Sequence, residues 1–361
     1  MFVGGEFYYD DRWISDTPTI STEKMVFLNG GVACLTVISD FLLDHGIRKI
    51  VLPSYLCPSI VTTFERSGLT CDYYQINADF SIDLADLAQK ICEHKAMYFI
   101  NYFGFLNTPA VLSFIKDLRQ NGVIVVEDNA QAGFHDHPTG DFILNSLRKF
   151  VPFDGGYLIT QHDLAPYLEK YRGRPNRRLE VIRNYRKQLS GYLFEGKGNH
   201  GDLEELFDLA EHYYETDRVV DGDPQERFQI ERLDWKGIKQ IRRANYEYML
   251  SLISSIPDIS PIFPALQADN MPLGLPVYCS GVPRDRVCEE LGNAAIGLPI
   301  HWDDILSDPR INGNRVAVDM ASKILTLAID QRTSHKQMDY LAMNLIRGIE
   351  VAKNNRMYIS T

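Results

Sequence analysis

The chain has 361 residues, of which 45% are apolar and 24% charged, a composition that is typical of a soluble globular protein and excludes extended disorder. Its formal net charge of -11 argues against a nucleic-acid surface, because phosphate binding needs an excess of Lys and Arg. No apolar run reaches the length of about eighteen residues that predicts a membrane span.

The cysteines and the start of the chain bear on the compartment. The six cysteines show no C-x-x-C spacing and are predicted to be buried free thiols. Met1–Asp11 contains no basic segment followed by an apolar run, so no signal peptide is predicted. Both features favour a protein of the reducing cytoplasm.

The first half of the chain alternates between amphipathic stretches and short apolar runs. The first amphipathic helix follows Asn29-Gly30-Gly31, and glycines before a helix leave N–H groups free to bind a phosphate. The other helices predicted here are Ile60–Ser67, Asp83–Cys92 and Pro109–Gln120. The predicted strands are Lys49–Leu52, Cys71–Ile76, Met97–Asn101 and Val123–Glu127. This alternation predicts βαβ units and a mostly parallel sheet with helices on both faces.

Beyond Gly156 the pattern changes to longer helices and fewer strands. Val219–Arg227 is predicted to be a polar loop, because it contains Gly222 and Pro224. The predicted helices are Leu164–Tyr171, Arg177–Tyr192, Leu203–Tyr214, Lys236–Ile253, Arg284–Leu291 and Lys336–Ala352, and the predicted strands are Leu275–Cys279 and Ile324–Ile329. We therefore expect a large domain of residues 1–235 and a smaller α+β domain of residues 236–361.

One stretch of the first half has the residue types of a cofactor site. Val123–Val126 predicts a buried parallel strand, and two acids, Glu127 and Asp128, follow it directly. In open α/β sheets, ligands bind at the carboxyl ends of the strands. A single lysine, Lys149, then precedes a Gly155-Gly156 turn. An acid, an amine and phosphate donors are the groups that pyridoxal 5'-phosphate (PLP) requires, so the stretch predicts a PLP site.

At these residues the chain resembles the DegT/StrS-type sugar aminotransferase family. The family motif E-D-x-A-Q stands here as Glu127–Gln131, the following G-D block with its serine as Gly140–Ser146, and the lysine and Gly-Gly block as Lys149 and Gly155-Gly156. The resemblance covers essentially the whole chain. It implies an α/β protein of PLP fold type I, with a mostly parallel central sheet flanked by helices and a smaller C-terminal α+β domain.

The resemblance also implies roles for individual residues. Asp128 would pair with the pyridinium nitrogen and keep the ring protonated, and Lys149 would form the Schiff base and move the α-proton. Gln131 would lie near the ring and its phenolic oxygen. Ser146 would bind the phosphate together with backbone N–H groups. The implied cofactor-binding residues are Gly31, Val32, Tyr55, Cys57, Asp128, Gln131, Ser146 and Lys149.

Two departures from the family pattern affect this site. Only Leu147 and Arg148 separate Ser146 from Lys149, where the family has about four residues, so a tightened turn is expected. Cys57 stands where the family often places an aromatic residue against the cofactor ring. The alternatives for that aromatic contact are Tyr55 and Tyr102.

The reaction implied is amino transfer from glutamate or a similar donor to a keto-sugar nucleotide. His301 corresponds to a histidine that lies on the substrate side in relatives, and Arg227 is a further candidate for binding substrate or phosphate. The family forms homodimers in which an asparagine of an N-Y-R stretch reaches the phosphate of the neighbouring subunit, and Asn184-Tyr185-Arg186 spells such a stretch. We expect a homodimer on these grounds.

Two alternatives remain open on the sequence. The first is a catalytically diverged homologue that binds PLP or a nucleotide sugar without turnover, since the loop before Lys149 is short. The second is a metal-dependent hydrolase that uses Asp128, His135 and His137. The metal hypothesis leaves Lys149 and the glycine-rich helix start without a task, so no metal is expected.

Overall fold

The computed structural model describes the backbone of residues 1–359 and the side chains of residues 1–354. The strands are β1 (Val3–Gly4), β2 (Met25–Leu28), β3 (Lys49–Pro53), β4 (Thr70–Tyr74), β5 (Ala96–Ile100), β6 (Ile124–Asp128), β7 (Phe142–Leu144), β8 (Gly156–Thr160), β9 (Ile259–Pro261), β10 (Leu275–Cys279), β11 (Ile296–Gly297) and β12 (Ile324–Leu327). The α-helices are α1 (Gly31–Asp44), α2 (Pro58–Ser67), α3 (Leu84–Ile91), α4 (Pro109–Gln120), α5 (Ala165–Glu169), α6 (Arg177–Glu195), α7 (His200–Thr216), α8 (Pro224–Arg232), α9 (Trp235–Ile253), α10 (Arg284–Asn293), α11 (Arg315–Lys323) and α12 (His335–Ile359).

A seven-stranded sheet forms the centre of the protein, with the strand order β2-β8-β7-β6-β5-β3-β4. Within it, β8 runs antiparallel to both of its neighbours, and the pairs from β7 to β4 are parallel. All five residues of β5 are buried, as expected of a strand covered on both faces. The predicted α/β fold with a mostly parallel sheet is confirmed.

The order of the strands reverses between β3 and β5. The chain adds β4 on one side of β3 and then returns to add β5 and β6 on the other side. In doubly wound sheets, such a switch point opens a crevice at the carboxyl ends of the strands. Three segments meet at this crevice: the loop after β3, the loop after β5 and the end of β6. The topology therefore places the candidate residues together at the carboxyl ends of the strands.

Helix α1 covers one face of the sheet beside β7 and β8. Its residues Cys34, Val37, Ile38 and Leu42 are fully buried and recur at helical spacing. Gly30 occupies the N-cap position with a φ of 128°, a conformation that favours glycine, and it offers no side chain to cap the helix. The first N–H groups of α1 therefore face outward without a capping partner.

The prediction of a polar loop over Val219–Arg227 is wrong for its second half. Residues Pro224–Arg232 form α8, because Asp223 accepts hydrogen bonds from the N–H groups of Gln225 and Glu226 and Pro224 stands at the first helical position. An acid followed by proline is a helix start as well as a turn signal. The polar composition of the segment concealed this.

The C-terminal part of the chain contains a second sheet. Strands β9, β10 and β12 form a three-stranded antiparallel sheet with β10 in the middle. The N-terminal strand β1 pairs with β11, so the first residues of the chain pack on this C-terminal region. The division into residues 1–235 and 236–361 stays a prediction.

The cysteines are all free thiols, as predicted, but they are not all buried. Cys34 and Cys279 are buried, whereas Cys92 is exposed at the end of α3. Within residues 1–359, no helix is long and apolar enough to cross a membrane.

Candidate active site

Asp128 is the last residue of β6 and lies buried at the carboxyl end of this central strand. One carboxylate oxygen accepts a hydrogen bond from the Tyr98 hydroxyl, and the other accepts the Ala130 N–H at 2.6 Å. Tyr98 pairs with Val126 across β5 and β6, and Val126 lies two residues before Asp128, so both side chains project from the same face. Burial raises the pKa of Asp128, and the hydrogen bonds and the Lys149 charge offset this only in part. A buried carboxylate of this kind would gain from a cationic partner.

Lys149 lies at the end of a single 3-10 turn, Leu147–Lys149. This turn accommodates the short spacing after Ser146, so the two missing residues do not remove the lysine from the site. Its Nζ lies 6.0 Å from the centre of the Trp302 ring. Burial lowers the pKa of Lys149, although the Asp128 charge acts in the opposite direction. The amine is thereby biased toward its neutral, nucleophilic form.

Ser146 lies directly against the glycine turn that begins α1. A Cβ placed on Gly31 would lie 3.6 Å from Ser146 Cβ, and one on Gly30 would lie 3.8 Å from Ser146 Oγ. Ser146 is buried, and its hydroxyl caps no backbone group. A hydroxyl and the free N–H groups of Gly31 and Val32 thus surround one small space, as an anion site requires.

Gln131 is buried with one half of its amide unpaired. Its Oε1 accepts the Phe103 N–H at 2.8 Å, whereas its Nε2 has no hydrogen-bond partner among the described side chains and backbone. A buried donor without an acceptor costs about 1–3 kcal/mol of stability. The orientation of the Gln131 amide therefore indicates that a ligand supplies the acceptor. Phe103 itself has a φ of 53°, a strained conformation that aims its N–H at Gln131.

Tyr55 and Cys57 follow β3 at the switch point. The Tyr55 hydroxyl donates to the His301 carbonyl and accepts the Trp302 N–H at 3.2 Å, so this buried ring supports the segment of His301 and Trp302. Cys57 begins α2 and lies close enough to Lys149 to influence the pKa of the amine. The structure thus brings both residues to the site, and their contact with a cofactor stays a prediction.

His301 is buried near Lys149. Its Nδ1 lies 3.0 Å from the Thr326 hydroxyl, and its ring stands edge-on to Phe103. Burial lowers the pKa of His301 to about 3, and the Lys149 charge adds to this shift. The imidazole is therefore neutral at physiological pH and can exchange hydrogen bonds with an uncharged group.

A cavity of about 500 Å³ opens beside Lys149 and His301. Residues from both ends of the chain line it, among them Gly5 and Glu6 from the N-terminal segment and Arg332 from the loop after β12. Its size suits a small organic molecule, and it gives such a molecule access to the Lys149 amine.

Arg227 does not lie in this cluster. It is held on α8, where its Nε donates to Glu231 at 2.7 Å and its Nη2 to Thr22 at 3.3 Å, and it does not line the cavity. Asn184, the first residue of the N-Y-R stretch, is exposed on α6. A role for either residue in a neighbouring subunit stays a prediction.

The side chains that would bind a metal ion under the hydrolase hypothesis do not lie together. His135 Nε2 lies 2.7 Å from Glu127, Asp128 faces Tyr98 on the other side of the strand, and His137 is exposed. Within the described residues, no group of three His, Cys, Asp or Glu side chains is arranged to hold a metal ion. Glu127 and His135 instead fix the loop that follows β6.

Three residues near the site were not predicted from the sequence. Tyr98 could have been found from its position in β5 once the register with β6 was known. Trp302 and Tyr214 approach Lys149 and the glycine turn from segments far along the chain, and no local pattern marks them.

The architecture described above is PLP fold type I, because solved enzymes of that fold superpose on most of the chain. DesV of S. venezuelae, solved in complex with a ketimine intermediate, has 19% identity and a TM-score of 0.64, and the match covers 90% of this chain and 85% of DesV. At this identity the similarity shows the fold.

Two further structures give the same result. Spr1654 from Streptococcus pneumoniae, provisionally assigned as a sugar aminotransferase and solved in its PLP form, has 17% identity and a TM-score of 0.65 over 94% of this chain and 93% of its own. DesI, solved in the presence of its TDP-sugar product, has 16% identity and a TM-score of 0.67 over 92% of this chain and 83% of its own. No family model and no curated protein sequence matches the chain.

Proposed function

We propose that this protein is a PLP-dependent aminotransferase. The observation that carries the proposal is the convergence of Asp128 and Lys149 at the carboxyl edge of the sheet, where burial raises the pKa of the acid and lowers that of the amine. A structural ion pair would show shifts in the reverse directions, since each charge would favour the other. Shifted acids and amines in a cleft are typical of catalytic groups.

The residues present fit PLP at two further points. Gln131 Nε2 is a buried donor without a partner, and it would donate to the phenolic oxygen of the cofactor. The Ser146 hydroxyl and the N–H groups of Gly31 and Val32 face one space that would hold the phosphate. Spr1654, which shares the fold, has been solved in both PLP and PMP forms.

Each side chain then has a defined task. When bound, PLP would supply a protonated ring that withdraws the negative charge developing on the reacting carbon. Asp128 would hold the proton on the ring nitrogen, because a buried carboxylate short of donors is stabilised by a cation. Lys149 would hold the cofactor through its amine and would move a proton at the reacting carbon, for which a neutral amine is required.

For the substrate we propose a keto sugar linked to a nucleotide, with glutamate or a similar amino donor. The neighbour DesI was solved in the presence of its TDP-sugar product, and the cavity beside Lys149 and His301 is open to a ligand of that kind. We further propose a cytoplasmic homodimer whose partner closes the cavity, and sedimentation velocity measures this assembly directly.

The test of the proposed function is spectroscopic. We expect the purified protein to absorb in the visible region as a lysine-bound PLP, and reduction with borohydride should attach the cofactor covalently to Lys149. Lys149→Ala should abolish both the covalent attachment and the transfer of an amino group, whereas Lys170→Ala, at an exposed lysine paired with Asp40, should change neither.

Three outcomes would count against the proposal. Native turnover in Lys149→Ala would remove the lysine from the mechanism. A colourless wild-type protein whose activity is sensitive to chelators would favour the metal hydrolase. A protein that binds PLP on Lys149 but aminates none of a panel of nucleotide-linked keto sugars and free keto acids would favour the diverged homologue.

A further inference from the structure

The last turn of α7 brings a second hydroxyl to the glycine turn at the start of α1. A Cβ placed on Gly30 would lie 3.1 Å from the Tyr214 hydroxyl and 3.8 Å from Ser146 Oγ. Tyr214 belongs to a helix hairpin, α6 and α7, that follows the central sheet in the chain. The hydroxyls of Ser146 and Tyr214 therefore both lie beside this glycine turn.

These groups are donors that face the same space without an acceptor. Within residues 1–354, no side chain or carbonyl accepts a hydrogen bond from the hydroxyls of Ser146 or Tyr214. The N–H groups of Gly31 and Val32 belong to the first turn of α1, which has no side-chain cap. Ser146 is only 5% exposed as a residue, and its hydroxyl is left free to donate to a ligand in this space.

The Tyr214 ring is held in place by two guanidinium groups. Arg148 and Arg178 lie 4.5 Å and 4.9 Å from its centroid, and both donate to Glu211, at 2.9 Å and 2.8 Å. Glu211 stands three residues before Tyr214 on the same helix, so the ring and its supports form one unit. Burial raises the pKa of Tyr214 although the arginines oppose the shift, so the hydroxyl stays protonated at neutral pH and can donate.

We propose that Tyr214 is a phosphate ligand of the cofactor, donating its hydroxyl hydrogen to a phosphate oxygen together with Ser146 and the N–H groups of Gly31 and Val32. This inference rests on the proposed function, because it assumes that PLP is the ligand of the site. It has a consequence for the assembly. Tyr214 comes from the same chain as the glycine turn, so this phosphate ligand would not require a neighbouring subunit.

The experiment compares two ligands that differ only in the phosphate. Full-length protein is freed of cofactor and titrated with PLP and with pyridoxal, and the dissociation constants are measured by absorbance. A hydrogen bond to a charged group contributes about 1.5–3 kcal/mol, so Tyr214→Phe should raise the Kd for PLP by about ten- to a hundredfold. The Kd for pyridoxal should stay within about twofold of the wild-type value, because pyridoxal has no phosphate to lose.

Tyr213→Phe is the matched control. Tyr213 is the preceding residue on α7 and lies under Arg177 instead, so its variant should leave both constants unchanged. Equal losses for PLP and pyridoxal in Tyr214→Phe, or no loss for PLP, would overturn the role of Tyr214. A wild-type protein that binds neither ligand would overturn the proposed function, and with it this inference.

Discussion

Glu127 and Asp128 are consecutive acids at the end of one strand, yet their surroundings shift their pKa values in opposite directions. Both are buried, with 1% and 4% exposure, and they project to opposite faces of β6. Glu127 receives five hydrogen bonds, whereas Asp128 receives two, from Tyr98 and Ala130. The donors to Glu127 are the side chains of Asn101, Asn129 and His135 and the N–H groups of Thr139 and Gly140.

The pKa values follow this difference. Burial alone would raise the pKa of Glu127, but His135 and the two backbone N–H groups outweigh it, and the net pKa is lowered. For Asp128 burial prevails and the pKa is raised. A buried acid that the protein satisfies fully serves the fold, whereas one left short of donors costs stability unless a ligand completes it. The comparison therefore separates a structural acid from a functional one within a single dipeptide.

The largest expected effect is on turnover in Asp128→Asn. The substitution keeps size and shape but removes the charge that would hold the ring proton, so kcat should fall on the order of a hundredfold or more. PLP should still bind through Lys149 and the phosphate donors. Steady-state kinetics and an absorbance titration of the cofactor measure the two effects separately.

The same variant should be more stable than the wild type when no cofactor is bound. A group whose folded pKa is raised costs stability as the pH rises through that pKa, so at neutral pH the ionised Asp128 destabilises the cofactor-free protein. Urea titration of the cofactor-free proteins would test this. Near-normal turnover in Asp128→Asn would remove the residue from the mechanism, and a loss of stability without cofactor would contradict the comparison.

For Glu127→Gln we expect the opposite result. Whichever way the new amide turns, its NH₂ group faces N–H donors, so the free energy of unfolding should fall by about 1–3 kcal/mol. Turnover per folded molecule should change little, because Glu127 faces away from Lys149. Denaturant unfolding and the kcat of protein with saturating PLP give these two quantities.

The effect of Glu127→Gln should also depend on pH. The folded pKa of Glu127 lies below its ordinary value of 4.5, so its contribution to stability is present above that pH and is lost as the pH falls through the folded pKa. The difference in stability between wild type and variant should therefore shrink in acid below pH 4.5. A difference in stability that is constant with pH, or a kcat as low as that of Asp128→Asn, would contradict the structural role that we assign to Glu127.

The sequence predicted the half of the site that comes from consecutive strands. Asp128, Ser146 and Lys149 follow β6 and β7 within a short stretch, and strands that end at one edge of a parallel sheet bring such residues together. The helix at Gly31 was predictable from its glycines and its apolar spacing. The short spacing between Ser146 and Lys149 was recognised in the sequence as a departure from the family pattern. The 3-10 turn that accommodates this spacing was not predicted.

The other half of the site comes from distant segments. Trp302 and His301 reach Lys149 through the hydrogen bond from Tyr55 to the His301 carbonyl, across more than half of the chain. Tyr214 reaches Gly30 because α7 packs against α6 and its last turn ends beside the glycine turn, whereas its sequence neighbours predict only an amphipathic helix. Contacts of this kind depend on tertiary packing, which local periodicity does not specify.

A smaller effect on catalysis than that of Asp128→Asn is expected at Tyr98, which donates to Asp128. Tyr98→Phe removes one of the two donors to Asp128, so kcat/KM should fall by about five- to thirtyfold, less than in Asp128→Asn. Without that donor the pKa of Asp128 rises further, and because the ionised acid is the active form, the acid limb of the pH profile should move to higher pH. Tyr74→Phe is the matched control, since the buried Tyr74 hydroxyl donates to the Tyr98 carbonyl at 3.0 Å and does not contact Asp128. Both variants lose one buried hydrogen bond, so stability should fall by about 1 kcal/mol in Tyr74→Phe and by about 1.5–3 kcal/mol in Tyr98→Phe, where the acceptor is charged, but only Tyr98→Phe should shift the pH profile. If the two variants shift it equally, Tyr98 supports the sheet and not the acid.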